Sequence, residues 1–217
     1  MKTILGSIWK WIGVVATISS ILGLFLSFLS DDKSVKVALF VFCVVLIVDG
    51  KKSVFEMYRL IQCKRAVLTH IDYKFKWSGT KKPKLSSNSQ ELRNTTFLED
   101  LNVWDKCEIH FKTPLTYNES TVVHIRTDND DYDGKAEPFI STRLDSPIKI
   151  MQYKVLLSYK DDTFSEDAVF ERKPIDADVD SWWEYLDSIP FESKYKQYQY
   201  VIVAPEPGYI YKIRWIK

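Results

Sequence analysis

The sequence predicts an N-terminal two-helix transmembrane hairpin followed by an all-β C-terminal domain, a small antiparallel β-barrel of about eight strands with one short helix. Three observations predict it. Two uncharged apolar runs lie near the N-terminus, separated only by DDKSVK. Downstream, apolar and polar residues alternate with a period of two in several segments, the mark of strands with one buried face. Turn-forming residues separate these segments at short intervals, which favours a barrel over a sandwich.

The first run, residues 11–30 (WIGVVATISSILGLFLSFLS), has no charge. As a helix it is roughly 30 Å long, the hydrocarbon thickness of a bilayer. Trp9 and Trp11 flank Lys10 where an interfacial aromatic belt would sit. Its apolar length and the lack of a small-x-small site argue for a signal anchor rather than a cleaved signal peptide. The second run, residues 37–48 (VALFVFCVVLIV), is shorter and is read as a short, untilted span, with Lys36 snorkelling at one end and Asp49-Gly50 marking the other. Lys2 and Lys10 precede the hairpin and Lys51, Lys52, Arg59, Lys64 and Arg65 follow it, so the positive-inside rule places both termini in the cytoplasm. On that reading the sequons at Asn94 and Asn118 are chance matches, and the three cysteines form no disulfide framework.

Residues 51–64 are expected to continue the second span as a basic, amphipathic stalk, giving a membrane and stalk unit over 1–65 and a cytoplasmic barrel over 66–217. Strands are expected at 67–77, 107–113, 121–127, 148–159 and 167–172, with weaker ones near 93–98 and 137–142. A closing hairpin joins 197–204 to 209–216 around Pro205-Glu206-Pro207-Gly208. The single helix is expected at 180–188, capped by Asp180 or Ser181. The formal net charge of +1 sums two opposite parts: residues 1–66 carry 9 basic and 4 acidic residues, and 67–217 carry 21 and 25. A polymeric nucleic acid needs clustered positive charge, which this distribution lacks.

Several constellations carry possible chemistry. Gly13, Ala16, Ser20, Gly23 and Ser27 form a small-residue seam on one face of the first span, suited to packing on the second span or on other copies of the chain. In the barrel, pairing across the closing hairpin puts Tyr198 opposite Trp215, Tyr200 opposite Ile213 and Ile202 opposite Tyr211, on the apolar side with Tyr73, Phe75, Trp77, Tyr153 and Tyr159. An eight-stranded barrel is either filled by such side chains or holds one small ligand, here a planar one stacked on aromatic faces. Arg126, Arg143 and Arg214, near strand ends and loops, are the cations that would meet phosphate. The candidate binding residues are therefore Tyr73, Trp77, Arg126, Arg143, Tyr153, Tyr198, Tyr211, Arg214 and Trp215. A hairpin of 107–113 with 121–127 would set His110 opposite His124, with His70 on the same parity, but that parity faces solvent and no metal site is expected. Residues 129–134 (NDDYDG) resemble the opening of a calcium loop. Ile140 stands where the bidentate Glu belongs, so an acidic hairpin turn with Gly134 at positive φ is the better reading. No catalytic or nucleotide-hydrolase motif occurs, so neither an enzyme nor a cofactor is expected.

Two spans with both ends cytoplasmic, joined by a basic stalk to a barrel without catalytic motifs, resemble the two-transmembrane, β-strand-rich effectors of bacterial CBASS antiphage defence. The resemblance is one of size and order along the whole chain and brings no site residues with it. It implies an inner-membrane protein that binds a cyclic dinucleotide made by a CD-NTase. It further implies homo-oligomerisation and disruption of the lipid bilayer, causing abortive infection. One tension follows from the parities: the lumen is apolar, so a doubly charged ligand must bind at the rim or meet inward charges. The alternative is a membrane-anchored barrel that holds an apolar ligand or recruits a protein partner.

Overall fold

The computed structural model describes residues 36–47, 51–98, 104–178 and 181–216, and the regular structure of these residues is β throughout. The strands are β1 (Lys36–Ile47), β2 (Lys52–Cys63), β3 (Val67–Phe75), β4 (Lys84–Ser86), β5 (Glu91–Thr96), β6 (Asp105–Thr116) and β7 (Ser120–Asp130). There follow β8 (Phe139–Leu144), β9 (Ile150–Leu157), β10 (Ala168–Pro174), β11 (Glu184–Ile189), β12 (Gln197–Val203) and β13 (Tyr209–Arg214). They form a six-stranded sheet in the order β12-β9-β1-β2-β7-β4, a four-stranded sheet β11-β10-β13-β8 and a three-stranded sheet β3-β6-β5.

This overturns the expected barrel. Each sheet is an open row with two edges, and none closes on itself. The second expected span is also overturned, because its residues form β1, an inner strand paired antiparallel with β2 and parallel with β9. The physical reason lies in the composition. A twelve-residue run rich in Val, Ile and Phe fits a strand buried on both faces as well as it fits a buried helix, and periodicity alone does not separate them. Among the described residues no helix is long and apolar enough to cross a membrane. The first run and its seam, Gly13, Ala16, Ser20, Gly23 and Ser27, lie outside the described residues.

The stalk is likewise a strand. In β2 the buried residues Met57, Ile61 and Cys63 all fall on one parity, and Ile61 and Cys63 two residues apart fit a strand rather than a helix. The helix expected at 180–188 is replaced by β11, whose Ile189 pairs with Ala168 of β10 and whose Glu184 holds Arg172 at 2.7 Å. Trp182 is 94% exposed, so the segment has no apolar helical face to bury.

The strand segments expected downstream fall on β3, β5, β6, β7, β8, β9, β10, β12 and β13, but three of the expected hairpins are not formed. β12 joins β9 in the six-stranded sheet while β13 lies between β10 and β8, so Tyr200 faces Tyr153 and Ile213 faces Phe170 and Ile140. Pro205 and Pro207 lack N–H groups and suit a crossover better than a tight hairpin. Ala204 and Gly208 (φ +89°) donate their backbone N–H groups to the carbonyls of Lys149 and Leu144, so the crossover runs beside the one that links β8 to β9. β6 and β7 also part into different sheets, and the residue opposite His110 is His70, not His124. β7 and β8 do the same, so 129–134, expected as a hairpin turn, is instead the end of β7 and the start of a link between sheets, with Gly134 at φ +69°.

The six- and four-stranded sheets pack through an aromatic layer. Phe170 of β10 lies 4.6 Å from Tyr200 and 5.9 Å from Tyr211, and 6.2 Å from Tyr153 of β9. Tyr153, Tyr198 and Tyr211 are fully or almost fully buried there, and each hydroxyl donates to a backbone carbonyl, of Tyr211, Glu166 and Glu206 respectively. Such satisfied phenols belong to a packed core.

Candidate ligand-binding cleft

The alternation within β1 and β2 builds the floor of a cavity. Their register sets Val41 opposite Arg59, Cys43 opposite Met57, Val45 opposite Phe55 and Ile47 opposite Ser53, and all eight residues line a cleft of about 320 Å³. Strand β7 extends this face, with Thr127 beside Phe55 and Asn129 beside Ser53. The walls come from the other two sheets: Tyr73 and Phe75 of β3, stacked at 5.8 Å, and Phe139 to Leu144 of β8. Trp77, Trp104 and Trp215 complete them.

Trp77 is seated by the link between β3 and β4. That link is tied to the 129–137 segment by Thr80 Oγ1, which donates to Asp133 at 2.8 Å, by the Lys81–Asp130 ion pair, and by Ser78 Oγ, which accepts the Glu137 N–H at 3.0 Å. Gly79 lies against the indole. A Cβ at that position would stand 2.6 Å from Trp77 Nε1, so glycine is what allows the ring to sit there.

The electrostatics of the cleft are uneven. Six cations line it, Lys51, Lys52, Arg59, Lys74, Lys76 and Arg143, against four carboxylates, Asp72, Asp131, Glu137 and Asp145. Arg143 is already neutralised by Asp145, at 2.8 Å. Arg59 differs from the rest because it stands on the inward face of β2, between Val41 of β1 and Val123 of β7. Its Nε is buried without a hydrogen-bond partner, one terminal nitrogen reaches only the Met57 sulfur at 3.9 Å, and it forms no ion pair among the described residues. The indole N–H groups of Trp77 and Trp215 are buried and unpartnered as well. Each such donor costs about 1–3 kcal/mol, and more where it is charged. Burial pushes the Tyr73 phenol well above its usual range, with Arg59 acting weakly in the other direction. Burial raises the Cys43 thiol to about 11. Both groups are neutral near pH 7, and both feel the Arg59 charge.

Of the residues picked out from the sequence, Tyr73, Trp77, Arg143 and Trp215 come together at this cleft. Tyr153, Tyr198 and Tyr211 belong to the aromatic layer described above. Arg126 holds Asp128 at 2.9 Å and Glu56 at 3.1 Å, and half-exposed Arg214 lies 3.6 Å from Glu171. Arg59, Phe55, Met57 and Cys43 were missed because their segments read as a stalk and a membrane span. The signal that finds them is the two-residue alternation Phe55, Met57, Arg59, Ile61, Cys63.

His124, expected to face solvent, is 4% exposed. Its ring lies 4.7 Å from that of Tyr58, and its Nδ1 accepts the Asn88 backbone N–H at 3.2 Å. His70 and His110 stack at 5.0 Å, with Glu108 2.8 Å from His110. Among the described residues no three metal-ligating side chains converge.

No protein-family model matches the chain, and no curated protein is similar to it. Among solved structures it is similar to an M1 zinc metallopeptidase from Deinococcus radiodurans bound to a Tyr-Ser-Ala substrate, with a TM-score of 0.42 and 9% identity over 82% of this chain and 42% of that one. A further structure of M1 zinc metallopeptidase from that organism gives 0.41 and 9% over the same shares. A candidate protease from Parabacteroides distasonis gives 0.41 and 8% over 84% of this chain and 41% of that one. The chain thus spans less than half the length of each, and likeness at these TM-scores carries no argument about activity.

Proposed function

We propose that this chain is a ligand sensor whose cleft takes a cyclic dinucleotide, acting as an effector of the CBASS type. The observation that carries the reading is the pairing of aromatic walls with an inward, unpaired guanidinium. Aromatic faces stack on bases, and a guanidinium meets phosphate with charge-assisted hydrogen bonds. The volume, about 320 Å³, is near the lower end of the roughly 300–1,000 Å³ common for small-molecule sites. One base with its sugar phosphate occupies the interior and the second half sits at the mouth, beside Lys74 and Lys76. Arg59 supplies the inward charge that an apolar lumen had lacked.

The two-span hairpin and the barrel no longer support the resemblance, so the cleft supports it instead. Within the same proposal, residues 11–30 anchor the chain in a bilayer, and their small-residue seam serves self-association. Ligand binding acts by favouring one assembled state, which it does only by the difference in its affinity for the two states. The apolar floor of Val41, Val45, Ile47 and Phe55 favours a second reading, a neutral apolar ligand.

The test is thermal denaturation of the full chain with a panel of cyclic dinucleotides. The full chain is needed because β1 and β2 are inner strands of the six-stranded sheet. At a hundred times the dissociation constant, a ligand stabilises the chain by about 2.7 kcal/mol. No shift with any member of the panel would defeat the nucleotide reading.

A further inference from the structure

We infer that Arg59 is the anion anchor of the cleft, and that the ligand class is an aromatic or apolar body carrying one phosphate, sulfonate or carboxylate group directed at β2. The inference rests on reading the cleft as the ligand site, but not on the ligand being a cyclic dinucleotide. Its basis is the position of the guanidinium. The inward face of β2 reads Ser53, Phe55, Met57, Arg59, Ile61, Cys63, and Arg59 is the one charge in that row. Its cross-strand neighbours are Val41 and Val123, both buried, and neither offers an acceptor.

Arg59 is part-buried, with its Nε buried and without a hydrogen-bond partner, and a guanidinium held on an apolar strand face without a carboxylate contributes little to the fold that an apolar residue of similar length would not. Arg59 has no carboxylate partner among the described residues, although Asp72 lines the same cleft. Two further donors without a partner, the Trp77 and Trp215 indoles, belong to residues that line that cleft too. Among the buried atoms of the cleft-lining residues that lack a partner, these three N–H donors stand against one acceptor, Asn129 Oδ1, so donors prevail and the site suits a ligand that brings acceptors. The hydrophobic residues between them describe the body that carries those acceptors. Arg143 and Arg126 do not compete for the anchoring role, since Asp145 holds the first and Asp128 and Glu56 hold the second.

The experiment measures the melting temperature of the full chain and of Arg59→Met and Arg59→Lys, each alone, with naphthalene-2-sulfonate, and with its neutral isostere naphthalene-2-sulfonamide. The probes share the aromatic body and differ in charge. For the native chain the sulfonate raises the Tm and the sulfonamide raises it by less than half as much. Ligand-free Arg59→Met melts no lower than the native chain and no longer distinguishes the two probes. Arg59→Lys keeps the preference for the sulfonate at reduced size. A lower Tm or failure to fold in Arg59→Met would make Arg59 a structural residue and overturn the inference. Equal response of the native chain to both probes would overturn it as well. The two proposals fail separately. If cyclic dinucleotides give no shift while the sulfonate preference depends on Arg59, the nucleotide reading falls and the anchor stands. If a cyclic dinucleotide stabilises Arg59→Met as much as the native chain, the anchor falls and the nucleotide reading stands.

Discussion

At the scale of single residues, burial decides roles that parity left open. His124 lies on the polar parity of its strand, yet it is enclosed by Tyr58 and the Asn88 backbone. Because Nδ1 accepts from Asn88, the proton of the neutral ring is assigned to Nε2, 4.0 Å from Glu56. Burial lowers its pKa below the usual 6.5, an effect that Arg126 reinforces and Glu56 opposes. The unfolded chain therefore takes up this proton first as pH falls. Stability drops from about pH 6.5 down to the lowered folded value, and is unaffected by this group above that range. Urea denaturation at pH 7.5, 6.5 and 5.5 checks the expectation: His124→Gln flattens the decline over this range, and an unchanged slope would contradict it. Arg59 shows the same lesson from the other side. Its alternation with Phe55 and Met57 was legible, but a charge beside apolar residues fits an amphipathic stalk equally well until its neighbours are known.

At the scale of elements, strands with a clear polar face were legible and the most apolar one was not. In 67–77 the alternation reads odd positions inward, and Ile71 and Phe75 are buried as read. A bulge between Leu68 and His70 reverses the parity at the start, which is why Leu68 is buried and Val67 exposed. β1 has no polar face to read, and Val, Phe and Ile suit lipid as well as a sheet interior. Pairing partners also lay beyond local reading, because β12 and β13 follow each other in sequence but serve different sheets. The placement of β1 between β2 and β9 makes a direct prediction. Val44→Pro removes an N–H and clashes within a strand paired on both sides, so the full chain loses its cooperative thermal transition, followed by circular dichroism, and gains exposed apolar surface, followed by binding of the dye ANS. A native-like transition in that variant would mean that residues 36–47 lie outside the sheet.

At the scale of the molecule, the near balance of charge conceals a local imbalance that matters more. A cleft with six cations and four carboxylates around an apolar floor needs only a small anionic ligand, whereas a nucleic-acid polymer needs an extended basic surface. The aromatic residues read as one lumen divide between two places. Tyr153, Tyr198 and Tyr211 hold the two larger sheets together, while Tyr73, Trp77 and Trp215 surround the space that remains. The central claim, that this space is the ligand site, is tested most directly by filling it. Val45 is buried on the cleft floor opposite Phe55, and Val45→Trp extends an indole into the cavity, at an overpacking cost of about 1–3 kcal/mol. Isothermal titration of the full chain and of this variant, with the cyclic dinucleotide that stabilises the native chain most, should show affinity reduced at least about tenfold while the variant still melts cooperatively. Undiminished affinity in the filled variant would place the ligand elsewhere and contradict the account.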